Sequence, residues 1–151
     1  MARFRFKFQK VLDARNAVEN DRRKDLMIAR NQLTELEEEY CRIGGEITAQ
    51  RKLFSKQRDH EENANNWALR QSYLDMLNSL QKAAAKRIER QKDVIEEKRL
   101  KLMEASRDRK AMEILRTKHY EDFVSNENRQ EQLFLNEIGQ FQTIRKNQEN
   151  G

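Results

Sequence analysis

Residues 26–54, LMIARNQLTELEEEYCRIGGEITAQRKLF, decide the fold. Leu26, Leu33, Tyr40, Ile47 and Phe54 recur every seven residues, and Ala29, Leu36 and Ile43 stand three residues after the first three. This is an a/d seam sustained for about four heptads, long enough to specify a coiled coil. So narrow an apolar stripe cannot enclose a core alone. It needs a facing helix, and the rest of the chain must supply it.

The composition suits long solvated helices. Charged residues make up 38% of the chain and the hydrophobic set 36%, with no proline and four glycines. A compact domain normally carries about 45–50% apolar residues, yet the heptads argue against plain disorder. The net charge of +5 is unevenly spread: residues 1–30 and 71–110 are basic, 31–70 and 111–151 mildly acidic. Such mixing marks a helix surface laced with i,i+4 pairs rather than a dedicated basic groove. Cys41 is alone, which excludes an internal disulfide and suits a reducing cytosol. No stretch approaches the roughly 20 apolar residues of a membrane span, and the start lacks the apolar core of a secretory signal. The expectation is a soluble cytoplasmic protein.

Phe4, Phe6 and Phe8 alternate with Arg3, Arg5 and Lys7, a period of two that would suit a strand. Phe4, Phe8, Val11 and Leu12 also fit a helical stripe, and no second strand follows, so a first helix is expected from about residue 4 to residue 54. Between Val18 and Leu26 the extrapolated seam falls on Arg15, Glu19 and Arg22, while Val11, Ala14 and Val18 sit one position earlier. That predicts a stutter which loosens the packing and frees the arginines to face another protein. Gly44-Gly45 lies inside the good seam and costs about 1 kcal/mol per glycine relative to alanine. Because Ile47 and Phe54 keep the register, a soft spot is expected there; a turn at the glycines is the competing reading.

The break is expected at residues 55–66, where Asn63, Asn65 and Asn66 favour turns and caps. Asn65 or Asn66 would cap a second helix running from Trp67 to about residue 147. Its apolar positions keep a three-four spacing, interrupted by Gln81, Gln91, Lys98 and Arg109, and so many polar seam positions specify register at a cost in strength. The predicted fold is all-α: one antiparallel coiled-coil hairpin over residues 1–151, with Phe54 beside Trp67 and Phe4 near Thr117. The second helix is longer, and its overhang of roughly 30 residues carries Phe123, Leu133, Phe134, Leu135, Ile138, Phe141 and Ile144. That much bare apolar surface is marginal in water. It must meet another protein or remain partly disordered.

The residues offer little for catalysis, so no enzyme, cofactor or metal is expected. His60 and His119 stand in no metal-binding spacing and read as solvated, Cys41 has no matched base nearby, and no phosphate-binding loop occurs. A two-helix hairpin also lacks a concave pocket. Nucleic acid is disfavoured because Glu89, Asp93, Glu96 and Glu97 interleave the basic cluster from Lys86 to Lys101. A self-associating structural coiled coil, its overhang pairing with a copy of itself, remains an alternative.

The opening Phe4-Arg5-Phe6-Lys7-Phe8-Gln9-Lys10-Val11-Leu12-Asp13-Ala14-Arg15 resembles the aromatic-basic start and Gln-x-Val-Leu-Asp-x-Arg motif of the FliJ family, small coiled-coil proteins of flagellar type III export. The stretch from Asn66-Trp67 to Tyr73-Leu74-Asp75-Met76-Leu77 and the C-terminal Glu127-Asn128-Arg129-Gln130-Glu131-Gln132-Leu133 are similar too. In the last, Asn128, Gln130 and Gln132 replace charged residues of the family's pattern.

The resemblance implies a non-enzymatic coupling protein at the flagellar base, peripheral to the membrane through its partners only. The hairpin end bearing both termini would enter the hexameric ring of the export ATPase. Arg3, Arg5, Lys7, Lys10, Arg15, Phe123, Arg129 and Leu133 would serve there. The cytoplasmic domain of the export-gate membrane protein would dock on Gln32, Leu36, Tyr40, Ile43, Tyr73, Leu77 and Leu80. Export chaperones are further implied partners. Leu36 and Ile43 read equally well as seam residues, and Tyr73 is expected to be an exposed contact because Leu74 and Leu77 fill the adjacent seam. Glu39 stands where family members often show an aromatic residue.

Overall fold

A computed structural model of the protein describes residues 2–57 and 63–151. The chain is all-α, as the heptads predict. Helix α1 spans Gln9–Gln57 and helix α2 spans Ala64–Glu149, pairing antiparallel, with no strand among the described residues. The chain divides into two compact units, residues 20–104 and residues 1–19 with 105–151.

In the first of these units the heptad run meets α2. Leu26, Ala29, Ile43 and Ile47 are buried, and Ile43 and Ile47 form one cluster with Leu77 and Ala84. Phe54 lies beside Trp67 at the predicted level, ring centroids 6.4 Å apart. Two of the polar interruptions of α2 meet α1 here. Gln91 Nε2 donates to the Ala29 carbonyl at 2.9 Å and to Gln32 Oε1 at 3.2 Å. Gln81 passes over Gly44, where a Cβ would sit 3.1 Å from Gln81 Nε2. α1 runs through both glycines without a break, which removes the competing turn. Gly44 makes room for a neighbour, whereas a Cβ on Gly45 would meet open space.

The expected break is shorter than residues 55–66. Ser55 stays in α1, its hydroxyl donating to the Lys52 carbonyl at 2.8 Å, and α2 already opens at Ala64. The cap is therefore Asn63, not Asn65 or Asn66. Its Oδ1 accepts from the Asn65 N–H at 3.4 Å, and its carbonyl receives the N–H groups of Asn66 and Trp67. The centre of the expected turn, and His60, lie outside the described residues.

The other unit corrects two expectations. Residues 2–6 are not helical, and α1 begins at Gln9 instead of near residue 4. This arm follows the period of two: Phe4 and Phe6 turn inward onto α2, while Arg3, Arg5 and Lys7 stay exposed. Phe4 packs on Tyr120 and Phe123 at 5.2 and 5.6 Å, three residues or more beyond the expected Thr117, because an extended arm reaches further than a helix. Phe6 is buried against His119, centroids 5.6 Å apart, and Phe8 lies 6.3 Å from the same ring. His119 is thus a packing residue rather than a solvated one.

The second correction concerns the stutter. Val11 and Val18 are exposed at 42% and 44%, whereas Leu12 and Glu19 are buried. The heptad therefore continues unshifted through Leu12, Glu19 and Leu26, with a carboxylate in the seam at 1% exposure. Arg109 reaches it from α2 in a charge-assisted contact, and Ser106 Oγ donates to Glu19 Oε1 at 3.2 Å. Arg109 also pairs with Glu113 at 2.7 Å. Hydrogen bonding to Glu19, then to Glu113, raises the guanidinium pKa above its ordinary value. The neighbouring arginines are paired as well: Arg15 with Asp108 at 3.0 Å and Arg22 with Asp25 at 3.6 Å.

Candidate functional site

Two surfaces hold the residues named above, one in each unit. In the unit carrying both termini, the arm is pinned by alternate aromatics, so its cations project away from α2. Arg3, Arg5, Lys7 and Lys10 are exposed, and Lys7 Nζ sits 5.8 Å from the centre of the Phe8 ring. Arg15 is committed to Asp108, with both side chains about half exposed. Between the arm and α2 lies a shallow cleft of about 490 Å³, lined by Phe4, Glu113, Arg116, Thr117 and Tyr120.

Beyond Phe123, which is half-buried under Phe4, α2 continues as helix to Glu149 and its side chains are exposed, apart from the half-buried Glu127. Leu133, Phe134, Leu135 and Phe141 are all more than half exposed, and Arg129 is exposed among them. A single helix of that length with apolar residues on it is not stabilised by packing within its own unit. Tyr120 and His119, which anchor the arm, were absent from the sequence-based set. Local spacing has no signal for them, because their partners lie more than a hundred residues earlier in the chain.

In the other unit the named residues divide by burial. Ile43 and Leu77 are inside, in the cluster with Ile47 and Ala84, and Leu36 is half-buried. Gln32 is exposed while accepting from Gln91. Tyr40, Tyr73 and Leu80 are exposed at 37%, 38% and 44%. The Tyr73 hydroxyl donates to Glu46 Oε1 at 3.4 Å across the helix pair, a long bond that holds the ring at the surface. Glu39 engages Arg87 at 3.7 Å beside them. In this unit Tyr40, Tyr73 and Leu80 therefore keep surface open to solvent, while Ile43, Ile47, Leu77 and Ala84 form its packed layer.

Among the described residues no group of His, Cys, Asp or Glu is placed to hold a metal ion, and no helix is long and apolar enough to cross a membrane. Cys41 is exposed.

No curated protein matches the chain. A solved structure described as a putative YscO homologue from Chlamydia trachomatis is similar to it at 16% identity and a TM-score of 0.48, over 92% of this chain and 94% of that one. The family described as Flagellar FliJ protein matches residues 4–148, nearly the whole chain and including the opening motif, both helices and most of the overhang. With two antiparallel helices, a longer second helix and that match, the protein belongs to the FliJ family, a structural component of flagellar type III protein export.

Proposed function

We propose that this chain couples the hexameric ATPase of the flagellar export apparatus to the cytoplasmic domain of the membrane export gate, and assists delivery of substrates by export chaperones. It acts in the cytoplasm, at the membrane through its partners only. The observation that carries the reading is the bare helical stretch of α2 beyond Phe123, roughly 40 Å long at 1.5 Å per residue. A lone helix with exposed apolar side chains is the shape that enters a ring's axis, where Leu133 and its neighbours lose their water. Arg3, Arg5, Lys7 and Lys10 would meet acidic groups at the ring's mouth, with Arg129 further along the helix. Arg15 contributes there by holding Asp108.

On the other surface, Tyr40, Tyr73 and Leu80 with Gln32 make the gate contact. Leu36, Ile43 and Leu77 form the packed base that keeps them in place. Purified export ATPase and gate domain test both halves. Deleting residues 124–151 is expected to abolish binding to the ATPase while binding to the gate domain survives. Tyr73→Ala is expected to weaken the gate complex about tenfold with helicity intact. Melting of the helix pair by Tyr73→Ala would return that residue to the seam.

A further inference from the structure

The exposed stretch of α2 is charged unevenly along its length. Residues 121–137 hold Glu121, Asp122, Glu127, Glu131 and Glu137 against Arg129; residues 138–151 hold Arg145 and Lys146 against Glu149. Helical spacing places Glu127, Phe134, Ile138, Phe141 and Arg145 along one stripe, and Phe134 and Phe141 are exposed at 61% and 72%. Among the described residues of this unit, the ring contacts onto α2 reach as far as Phe123, against Phe4.

We infer that this stripe pairs with the same stripe of a second copy, antiparallel, about a two-fold axis near Asn136. Direction follows from the charges. In a parallel pair Glu127 and Glu131 would face their own counterparts and Arg145 another Arg145. In the antiparallel pair Glu127 faces Arg145 twice, Glu131 is level with Phe141 instead of with another carboxylate, and Phe134 faces Ile138 in the central layers. The contact is isologous, so it closes at two copies instead of growing into a filament. About three and a half heptads are available, enough for association but without a long seam, which makes the dimer weak and dependent on concentration. The inference does not rest on the ATPase reading. It concerns the same face, so ring and second copy exclude one another, and the dimer shields the apolar side chains while no ring is engaged.

The test uses the full chain. Sedimentation across concentrations is expected to show monomer passing to dimer, and the Phe134→Ala/Phe141→Ala variant is expected to weaken the dimer at least about tenfold. Glu127→Lys alone and Arg145→Glu alone weaken it, and the double exchange restores it. For direction, spin labels are attached at Asn136→Cys or Asn147→Cys in a Cys41→Ser background. The antiparallel pair gives a short distance between labels at 136 and one longer by roughly 30 Å at 147. A monomer at every concentration, a dimer unaffected by the alanine pair, or equal distances at the two positions overturns the inference.

Discussion

Glu19 is the residue on which the continuity of the seam turns. It occupies the heptad position between Leu12 and Leu26, buried, with Arg109 and Ser106 around its carboxylate. A buried pair contributes little net stability compared with apolar residues of the same size, but losing Glu19 leaves the largely buried Arg109 to the half-exposed Glu113 in place of a buried carboxylate. Glu19→Leu is therefore expected to lower the thermal midpoint by several degrees, and Glu19→Leu with Arg109→Leu to restore or exceed the parent, read by circular dichroism. Equal losses in both variants would show that the pair itself supplies net stability. The raised pKa of Arg109 means that its contribution is present below the ordinary guanidinium value and is lost only as pH rises through the folded one, in strong alkali. On the exposed face, hydrogen bonding from Arg99 holds the Glu96 carboxyl below the usual carboxylate range. A depressed folded-state pKa means that the contribution is present above the ordinary value and disappears as pH falls through the folded one. Arg99→Ala is expected to return Glu96 to its ordinary range in an NMR titration, with a small effect on stability because the pair is solvated.

Among elements, α1 carries a weakness that its packing explains at one glycine and not at the other. Gly44 gives Gln81 its room, while Gly45 faces open space. Gly45→Ala is expected to stabilise the helix pair by about 1 kcal/mol in chemical denaturation, the usual difference in helix propensity. Gly44→Ala should gain less, since Gln81 has to shift. No gain at Gly45 would mean that helix propensity does not limit stability there. The arm of residues 2–6 is a different kind of element, held by aromatic contacts to α2 instead of by its own hydrogen-bonded turns. Phe6→Ala should free it, seen as faster proteolysis near Arg3 and Arg5 with the helical content unchanged. A fall in helicity would mean that the arm nucleates α1.

For the whole molecule, the proposed ATPase contact draws on residues that folding stability does not use. Side chains beyond Val124 are almost all exposed and contribute no burial. Deleting residues 124–151 is therefore expected to leave the unfolding midpoint within a few degrees of the parent in calorimetry, although it removes more than a quarter of α2. A large fall would show that the exposed stretch is already buried in solution, as a second copy would bury it.

The helices, their antiparallel pairing, the level of Phe54 with Trp67 and the bare end of α2 were legible in the sequence. All follow from a periodic pattern carried within single segments and from helix rise. Tyr73 was likewise legible as a surface residue, whereas Tyr40, Leu80, Ile43 and Leu77 could be read as seam or as surface until their burial was seen. The extended arm, the unshifted heptad phase at Glu19 and the cap at Asn63 were decided only by tertiary structure. An apolar pattern counts Glu19 as a fault because it cannot see Arg109 at the same level, 90 residues away. Likewise, Phe4, Phe6 and Phe8 fit strand and helix alike until Tyr120, His119 and Phe123 are placed beneath them. Heptads determine that two helices meet; which charged and aromatic groups enter the contact depends on what the facing helix presents there.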